Sequence, residues 1–285
     1  MSILKKFKDS YKSFYYRTQY KSFISKYDYL IDKDLENNKD PLAKEGFVRL
    51  EKKISRDLIT KYYKFFNHYK DEINYNLLID VFDFVQKEFS SYISGYLGKN
   101  YMLCSVTFPI TKKDSTLSSI SDSWHTDNAG HKLNLHICIE GDGTIPTLFV
   151  KGSHKKKYNP SILEDLRNVK KSFKNKYNVV SFDHRTGDCT IFDSNGLHRG
   201  NYIQSDSVRK LIFLDFMDRE KFLALSYKNN FFKDKSVKLP YRIQESSFKK
   251  NKKVSKDIYN KLIKFPFIDE NSFIIKDNSY YCFFL

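Results

Sequence analysis

Two residue types that bind metals stand close together in the stretch "WHTD", where one residue separates His125 from Asp127. In an extended segment alternate residues point to the same side, so an imidazole nitrogen and a carboxylate oxygen can converge there on one metal ion. Such a pair is common by chance. It therefore indicates a metal site only if a further ligand comes from elsewhere in the chain.

A third candidate ligand, His198, lies in the stretch "GDCTIFDSNGLHRGN", just past a strand-like run and an Asn-Gly turn. If neighbouring strands bring His198 beside "WHTD", two histidines and one carboxylate share a face. That set is typical of non-haem Fe(II) oxygenases, which keep open positions on the metal. A structural zinc site would need a fourth protein ligand and usually prefers cysteine, and the sequence offers no well-placed fourth candidate.

An arginine, Arg209, lies in the otherwise apolar run "VRKLIFLDFMD". An arginine that points into a barrel is costly unless an anion meets it, and its guanidinium group fits a carboxylate through two hydrogen bonds. Alternation puts Arg209 on one strand face with Leu211 and Phe213, and the opposite face is no less apolar. Periodicity therefore leaves open whether Arg209 points into the barrel or towards solvent.

Two further histidines have more than one interpretation. His136 shares a strand face with Asn134 and Cys138 in "LNLHICIE". If that face lines a barrel, His136 contacts a co-substrate or substrate; the alternative is a buried histidine with hydrogen-bond partners. His131 falls in a predicted loop, where it either touches substrate or has an ordinary structural role.

The elements that must position these residues change in character along the chain. Residues 1–40 are charged and aromatic and are predicted to be helical, and apolar residues recur at helical spacing over 56–69 and 77–96. From residue 101 onwards, short strand-like runs are separated by glycine, proline and Asp/Asn clusters, with one predicted helix at 159–166. This order predicts a mainly β barrel or jelly roll with helices packed on it.

These stretches resemble the phytanoyl-CoA dioxygenase family of Fe(II)- and 2-oxoglutarate-dependent oxygenases. The family's opening strand and helix are similar to "EGFVRLEKKIS", and its WHxD-type ligand motif is similar to "WHTD". Its GSHK segment is similar to "IPTLFVKGSHKK", and its last ligand segment to "GDCTIFDSNGLHRGN", with arginine at the usual offset. The resemblance covers residues 41–218. Residues 1–40 are then a basic, aromatic-rich helical extension, and residues 219–285 a mixed helix and loop extension packed on the core.

The resemblance implies a double-stranded β-helix, which is a cupin-like jelly roll, with N-terminal helices packed on it. It implies that His125, Asp127 and His198 hold Fe(II), and that Arg209 anchors the distal carboxylate of 2-oxoglutarate. We add His136 to the predicted co-substrate residues. The implied reaction consumes O2 and 2-oxoglutarate and releases succinate and CO2 while an organic substrate is hydroxylated.

Two positions refine that implication. Asp127 is present where halogenating relatives carry a small residue, so hydroxylation is favoured over halogenation. Gly200 stands two residues after His198, where some relatives carry a small hydroxyl residue that helps to bind the co-substrate. That contact would have to come from elsewhere in this chain.

The composition of the chain limits which kinds of substrate and partner are expected. The chain has 285 residues, which suits one large domain with extensions, and its 25 Phe and 21 Tyr allow a sizeable core. The net charge of +16 indicates an anionic partner or a lysine-rich compositional bias. We expect a small-molecule or carrier-bound substrate, with an anionic one mildly favoured. No basic helix or arginine stripe stands out, so no specific nucleic-acid partner is expected.

Four well-separated cysteines, without a CxxC pair, exclude a zinc ribbon or thioredoxin-type site and favour reduced thiols in a cytoplasmic protein. No apolar stretch approaches the 18 residues of a membrane span, and the N-terminus lacks the apolar core of a signal peptide. The basic N-terminal segment either packs on the body, which is favoured, or lies on an anionic membrane surface. The alternative function is a non-catalytic, basic cupin-like protein that binds nucleic acid or a membrane surface.

Overall fold

A computed structural model describes residues 22–68, 73–112, 124–127, 130–155, 178–200, 206–225, 252–276, 278–282 and 284. The helices are α1 (22–37), α2 (Pro41–Glu45), α3 (Arg56–His68), α4 (Tyr75–Leu97), α5 (Arg219–Leu225) and α6 (Lys256–Leu262). The first six strands are β1 (Phe47–Leu50), β2 (Tyr101–Thr107), β3 (Ile110–Lys112), β4 (Leu133–Glu140), β5 (Thr147–Val150) and β6 (Val179–Phe182). The other six are β7 (Cys189–Asp193), β8 (His198–Gly200), β9 (Val208–Asp218), β10 (Lys252–Val254), β11 (Phe273–Lys276) and β12 (Ser279–Cys282).

Two antiparallel sheets form the core. The larger has the strand order β1-β7-β4-β9-β2, with β3 also paired to β9, and the smaller has the order β6-β5-β8. The sheets meet through aromatic rings, since Phe192 of β7 lies 5.8 Å from Phe149 of β5 and 5.5 Å from Phe182 of β6, measured between ring centroids. This arrangement confirms the predicted jelly-roll class.

Strand β4 shows how the sequence assigns the two faces of the larger sheet. Leu133, Leu135 and Ile137 belong to one buried cluster with side chains of α4. The alternate residues Asn134 and His136 are also buried but point to the opposite, inner face. Alternation of apolar and polar residues within a wholly buried strand therefore separates the helix-covered side of the sheet from a polar barrel interior.

Helix α4 covers the outer face of that sheet. It begins after Asn74, whose side chain accepts a hydrogen bond from Leu77 N at 3.0 Å, and it ends at Gly98, where φ is 84°. The helix covers the predicted range 77–96 and extends it by two residues at the start and one at the end, where the capping side chain and the glycine with positive φ set its limits. The apolar residues of α4 recur every three or four positions and face the sheet and the C-terminal segment.

The C-terminal segment differs from the prediction of mixed helix and loop. It contains helix α6 but also a third antiparallel sheet with the order β10-β12-β11. Each of these strands has three or four residues, too short a run for alternation to be visible in the sequence. The predicted helix at 159–166 and the first 21 residues lie outside the described residues. Among the described helices, none is both long enough and apolar enough to cross a membrane.

Candidate metal and co-substrate site

Backbone pairing brings the three predicted metal ligands together. His125 and His198 form an isolated antiparallel bridge in which each N–H donates to the other's carbonyl at 3.0 Å. Asp127 N donates to Ser194 O at 3.1 Å, which holds the next part of this segment against the β7–β8 connection. The ligand atoms of His125, Asp127 and His198 all lie within 4.8 Å of one another. Two imidazoles and one carboxylate can therefore reach a single ion.

The protonation state of His198 suits a ligand. Burial lowers its pKa to about 4, although the charge of Asp127 opposes that shift. Its Nδ1 lies 3.0 Å from the carbonyl oxygen of Gly196. Because a carbonyl only accepts, the neutral ring carries its proton on Nδ1 and presents the Nε2 lone pair, which lies 3.6 Å from Asp127 Oδ1. A neutral imidazole of fixed tautomer is the form that binds metals.

A buried lysine, Lys132, completes the electrostatics of the site. Lys132 Nζ lies 2.8 Å from Asp127 Oδ2 and 3.3 Å from Asp215 Oδ2. Burial alone would raise the pKa of Asp127, but Lys132 and the neighbouring histidines outweigh it and hold that pKa below its usual range. Lys132 thus occupies one oxygen of Asp127, while Oδ1 faces His198.

Arg209 is buried on the inner face of β9, which settles the alternative that periodicity left open. Its Nη1 donates to the carbonyl oxygen of Ile145 at 2.8 Å, and its Nη2 donates to Thr111 Oγ1 at 3.4 Å. Those contacts fix the guanidinium group inside the barrel. A fixed planar guanidinium group is a geometry that recognises a carboxylate.

His136 lies in the same interior, with its ring centroid 4.2 Å from that of Phe213 and 5.1 Å from that of His184. Burial, then Arg209 and His198, lower its pKa well below the ordinary value, so the ring is neutral. Neither ring nitrogen has a hydrogen-bond partner among the described residues. Among the described residues, His136 is therefore buried but has no protein hydrogen bond, contrary to the alternative of a buried histidine with hydrogen-bond partners.

His131 has a role other than substrate contact. It is 1% exposed, and its Nδ1 lies 2.5 Å from Asp193 Oδ2 while Nε2 lies 3.1 Å from Asp32 Oδ1. Burial would lower its pKa, but the charge of Asp193 and the hydrogen bonds to both carboxylates raise it to about 10. The ring belongs to an ion network that ties α1 to the barrel.

The donor set fits a ferrous ion. Among the described residues, His125, Asp127 and His198 form the one group of three or more such ligands that could hold a metal ion. Two imidazoles and one carboxylate are the set found in non-haem Fe(II) oxygenases, whereas closed zinc sites take four protein ligands.

Two charged residues of the site, Lys132 and Asp215, were not predicted from the sequence. Their position beside or within an apolar strand is the only feature of the sequence that distinguishes them.

No family model matches the chain, and no curated protein matches it. Among solved structures, the non-haem, α-ketoglutarate-dependent carbocyclase SnoK from nogalamycin biosynthesis matches with a TM-score of 0.50 at 18% identity, covering 65% of this chain and 86% of that chain. EctD from S. alaskensis, solved with 2-oxoglutarate and 5-hydroxyectoine, matches with 0.49 at 14% identity, over 64% of this chain and 75% of that chain. The epimerase SnoN matches with 0.48 at 15% identity, over 65% and 84%. The likeness to SnoK shows a shared fold, the double-stranded β-helix.

Proposed function

We propose that this chain is an Fe(II)- and 2-oxoglutarate-dependent oxygenase of the phytanoyl-CoA dioxygenase type that hydroxylates a small organic substrate. The observation that carries the proposal is the convergence of His125, Asp127 and His198 within 4.8 Å, in a barrel whose interior also holds the buried Arg209. A fold shared with the α-ketoglutarate-dependent SnoK supports it. Four buried free cysteines are consistent with a cytoplasmic setting.

In this proposal His125, Asp127 and His198 hold the metal. When bound, Fe(II) supplies O2 activation coupled to the oxidative decarboxylation of 2-oxoglutarate to succinate and CO2. Lys132 engages Asp127 Oδ2, so Asp127 offers Oδ1 as a single ligand oxygen. Three protein ligands leave open positions for small molecules on an ion of this type. Lys132 and the Gly196 carbonyl then act as outer partners that orient the ligands.

Arg209 and His136 hold the co-substrate. 2-Oxoglutarate carries a carboxylate at each end, and Arg209 is the buried cation placed to meet the distal one. His136 is neutral, so one of its ring nitrogens carries a proton and can donate to an acceptor oxygen of the diacid. A buried nitrogen without a donor or acceptor partner costs free energy, and a bound diacid supplies the missing acceptor.

Asp127 also bears on the reaction type. A carboxylate at this position occupies the place that a halide needs in halogenating relatives, which favours hydroxylation. The proposed product is therefore the substrate plus one oxygen atom, and mass spectrometry of the product would distinguish this outcome from the ring closure or epimerisation named for SnoK and SnoN.

The decisive variant is Asp127→Ala. Purified protein with Fe(II), ascorbate and O2 should convert 2-oxoglutarate to succinate, slowly without substrate, and chelation of the iron should stop this until Fe(II) is added back. We expect Asp127→Ala to lose more than about 100-fold of the rate, since even outer partners of a metal site cost about 10–100-fold. The measurement is succinate formed per enzyme.

The matched control removes an exposed carboxylate instead. Asp34 lies on α1 and is exposed, so Asp34→Ala should keep the wild-type rate. Wild-type protein that binds neither Fe(II) nor 2-oxoglutarate would refute the enzyme proposal, as would an Asp127→Ala variant that forms succinate at the control rate.

A further inference from the structure

Two buried hydrogen-bond acceptors face each other across the centre of the larger sheet. Asn134 of β4 and Asp215 of β9 are paired in register, and their residues are 2% and 8% exposed. They share the inner face with His136 and Arg209 by strand alternation. Neither Asn134 Oδ1 nor Asp215 Oδ1 has a hydrogen-bond partner among the described residues.

The position and orientation of Asp215 are fixed. Its Oδ2 accepts a hydrogen bond from Ser105 Oγ at 2.8 Å and lies 3.3 Å from Lys132 Nζ. The same ammonium group lies 2.8 Å from Asp127 Oδ2, so Lys132 links Asp215 to a proposed metal ligand. Because Oδ2 is held, Oδ1 is the oxygen of Asp215 that remains for a ligand.

2-Oxoglutarate cannot satisfy this pair. At neutral pH its two carboxylates and its keto group are all acceptors, and it has no donor to offer to Asn134 Oδ1 or Asp215 Oδ1. Its oxygens suit the donors Arg209 and His136 instead. The free oxygen of Asp215 thus needs a donor from another molecule, and Asn134 beside it can accept through Oδ1 and donate through Nδ2, a combination that matches a hydroxyl group.

Charge indicates that this donor is neutral. Two carboxyl groups, Asp127 and Asp215, stand against two buried cations, Lys132 and Arg209. Burial raises the pKa of Asp215, and the charge of Lys132 opposes that shift. A divalent ion would offset the two carboxylates of 2-oxoglutarate. An additional ammonium or carboxylate in the barrel would therefore be an uncompensated buried charge, which is costly.

We propose that Asn134 and Asp215 form a substrate-recognition pair that accepts hydrogen bonds from a neutral donor group of the substrate, foremost a hydroxyl. The inference rests on the proposed oxygenase function and specifies its substrate class. It replaces the expectation of an anionic substrate, which came from the net charge of the whole chain. A site built to bond a hydroxyl also rejects analogues that lack it, because its buried acceptors would be left unpaired.

The first test uses the metal-free protein and does not depend on the proposed function. Acceptors kept for a ligand make no stabilising contact in the unliganded protein, so Asn134→Leu should have a urea midpoint equal to or above that of the wild type. The control is Asn195→Leu, since Asn195 Nδ2 donates to His154 O at 2.8 Å. That variant should be destabilised. Loss of stability in Asn134→Leu as large as in Asn195→Leu would overturn the proposal.

The second test compares three probes built on a cyclohexane ring by calorimetry on protein loaded with Ni(II) and 2-oxoglutarate: cis-1,2-cyclohexanediol, cyclohexanecarboxylate and cyclohexylammonium. We expect the diol to bind most tightly and to lose about tenfold or more in affinity in Asn134→Leu. Tighter binding of either charged probe, or no binding of the diol, would overturn the inference. Binding of 2-oxoglutarate is measured first, and its failure would refute the proposed function rather than this recognition pair.

Discussion

At the scale of single residues, Arg209 carries the proposed selection of a diacid. Replacing it with Met removes a buried charge-assisted contact, which is typically worth about 1.5–3 kcal/mol, so the Kd for 2-oxoglutarate should rise by roughly 10–100-fold. Arg209→Lys keeps the positive charge but loses the planar guanidinium group, so its Kd for 2-oxoglutarate should lie between those of the wild type and Arg209→Met. Calorimetry in the presence of Ni(II) gives both affinities, and the affinity for Ni(II) alone should be unchanged.

The exposed Arg56 offers the control, because Arg56→Met removes the same charge from the surface and should leave the Kd for 2-oxoglutarate at the wild-type value. Equal affinity in wild type and Arg209→Met would contradict the assignment of Arg209 to the distal carboxylate.

The three proposed metal ligands could be selected from sequence because the stretches that contain them resemble a known family's ligand motifs, whereas the His-x-Asp pair alone is common by chance. Lys132 and Asp215 could not, since lysine and aspartate are abundant in this chain and their significance lies in which strand face they occupy. The orientation of the Arg209 side chain could not be predicted either, because the residues on both faces of β9 are mostly apolar. Only the packed sheets show that its side chain is buried and held by Ile145 and Thr111.

At the scale of elements, a buried ion network attaches α1 to the barrel. Asp28 of α1 accepts a hydrogen bond from the buried Lys221 at 2.6 Å, and His131 lies between Asp32 and Asp193. Asp193 also accepts a hydrogen bond from Tyr96 of α4 at 2.6 Å. Helices α1, α4 and α5, the end of β7 and the segment just before β4 therefore meet at one set of charges next to the proposed site.

His131→Gln removes the cation from that network and leaves Asp193 buried without it. Breaking a buried pair in this way should destabilise the protein by roughly 3 kcal/mol at pH 7. Asp32→Asn should cost less, because Asp32 is 26% exposed whereas Asp193 is fully buried. Urea unfolding at pH 7 measures both, and equal losses in the two variants would contradict this ranking.

The stabilisation that the charged His131 contributes should decrease as the pH rises. The folded-state pKa of His131 is raised from 6.5 to about 10. Its stabilising charge is therefore fully present below pH 6.5 and is lost as the pH rises through 10. The stability gap between wild type and His131→Gln should narrow between those values. A gap that is constant or that widens would show that His131 is not charged in the folded protein.

Elements with local signals could be predicted from the sequence. Helix α4 has a capping Asn74 and a terminal Gly98, and β4 follows a clear alternation. The ion network that attaches α1 could not be predicted, because its residues come from five separate segments and no periodicity links them. The division into residues 1–40, 41–218 and 219–285 stays a prediction.

At the scale of the whole molecule, net charge and site chemistry are separate properties. The chain carries a charge of +16, yet the buried ammonium groups Lys132 and Lys221 are each paired with carboxylates. An excess of positive charge on the surface attracts anions and governs solubility. It does not determine the polarity of an enclosed site. This is why composition favoured an anionic substrate while the barrel interior favours a neutral donor.

The C-terminal segment completes the larger sheet. Strand β2 lies at one edge of that sheet, and its Leu103 N donates to Phe267 O at 2.9 Å while Val106 N donates to Phe284 O at 2.5 Å. Phe267 also packs on Phe216 of β9, with ring centroids 5.6 Å apart. An uncovered edge strand invites pairing with other chains, so this segment protects the barrel as well as packing on it.

Phe82 tests whether the barrel and the C-terminal segment unfold together. It is fully buried on α4, and its ring centroid lies 5.4 Å from that of Phe265, 5.6 Å from that of Phe267 and 6.0 Å from that of Phe284. Phe82→Ala should cost about 3–5 kcal/mol because it removes a fully packed ring.

The single tryptophan, Trp124, stands next to His125 and reports on the proposed site. If the molecule is one cooperative unit, Phe82→Ala lowers the urea midpoint equally by Trp124 fluorescence and by far-UV circular dichroism. Phe84 lies on the same helix but is only half-buried, so Phe84→Ala should lower both midpoints less. A Trp124 midpoint that stays at the wild-type value in Phe82→Ala would mean that the barrel keeps its stability without the C-terminal packing.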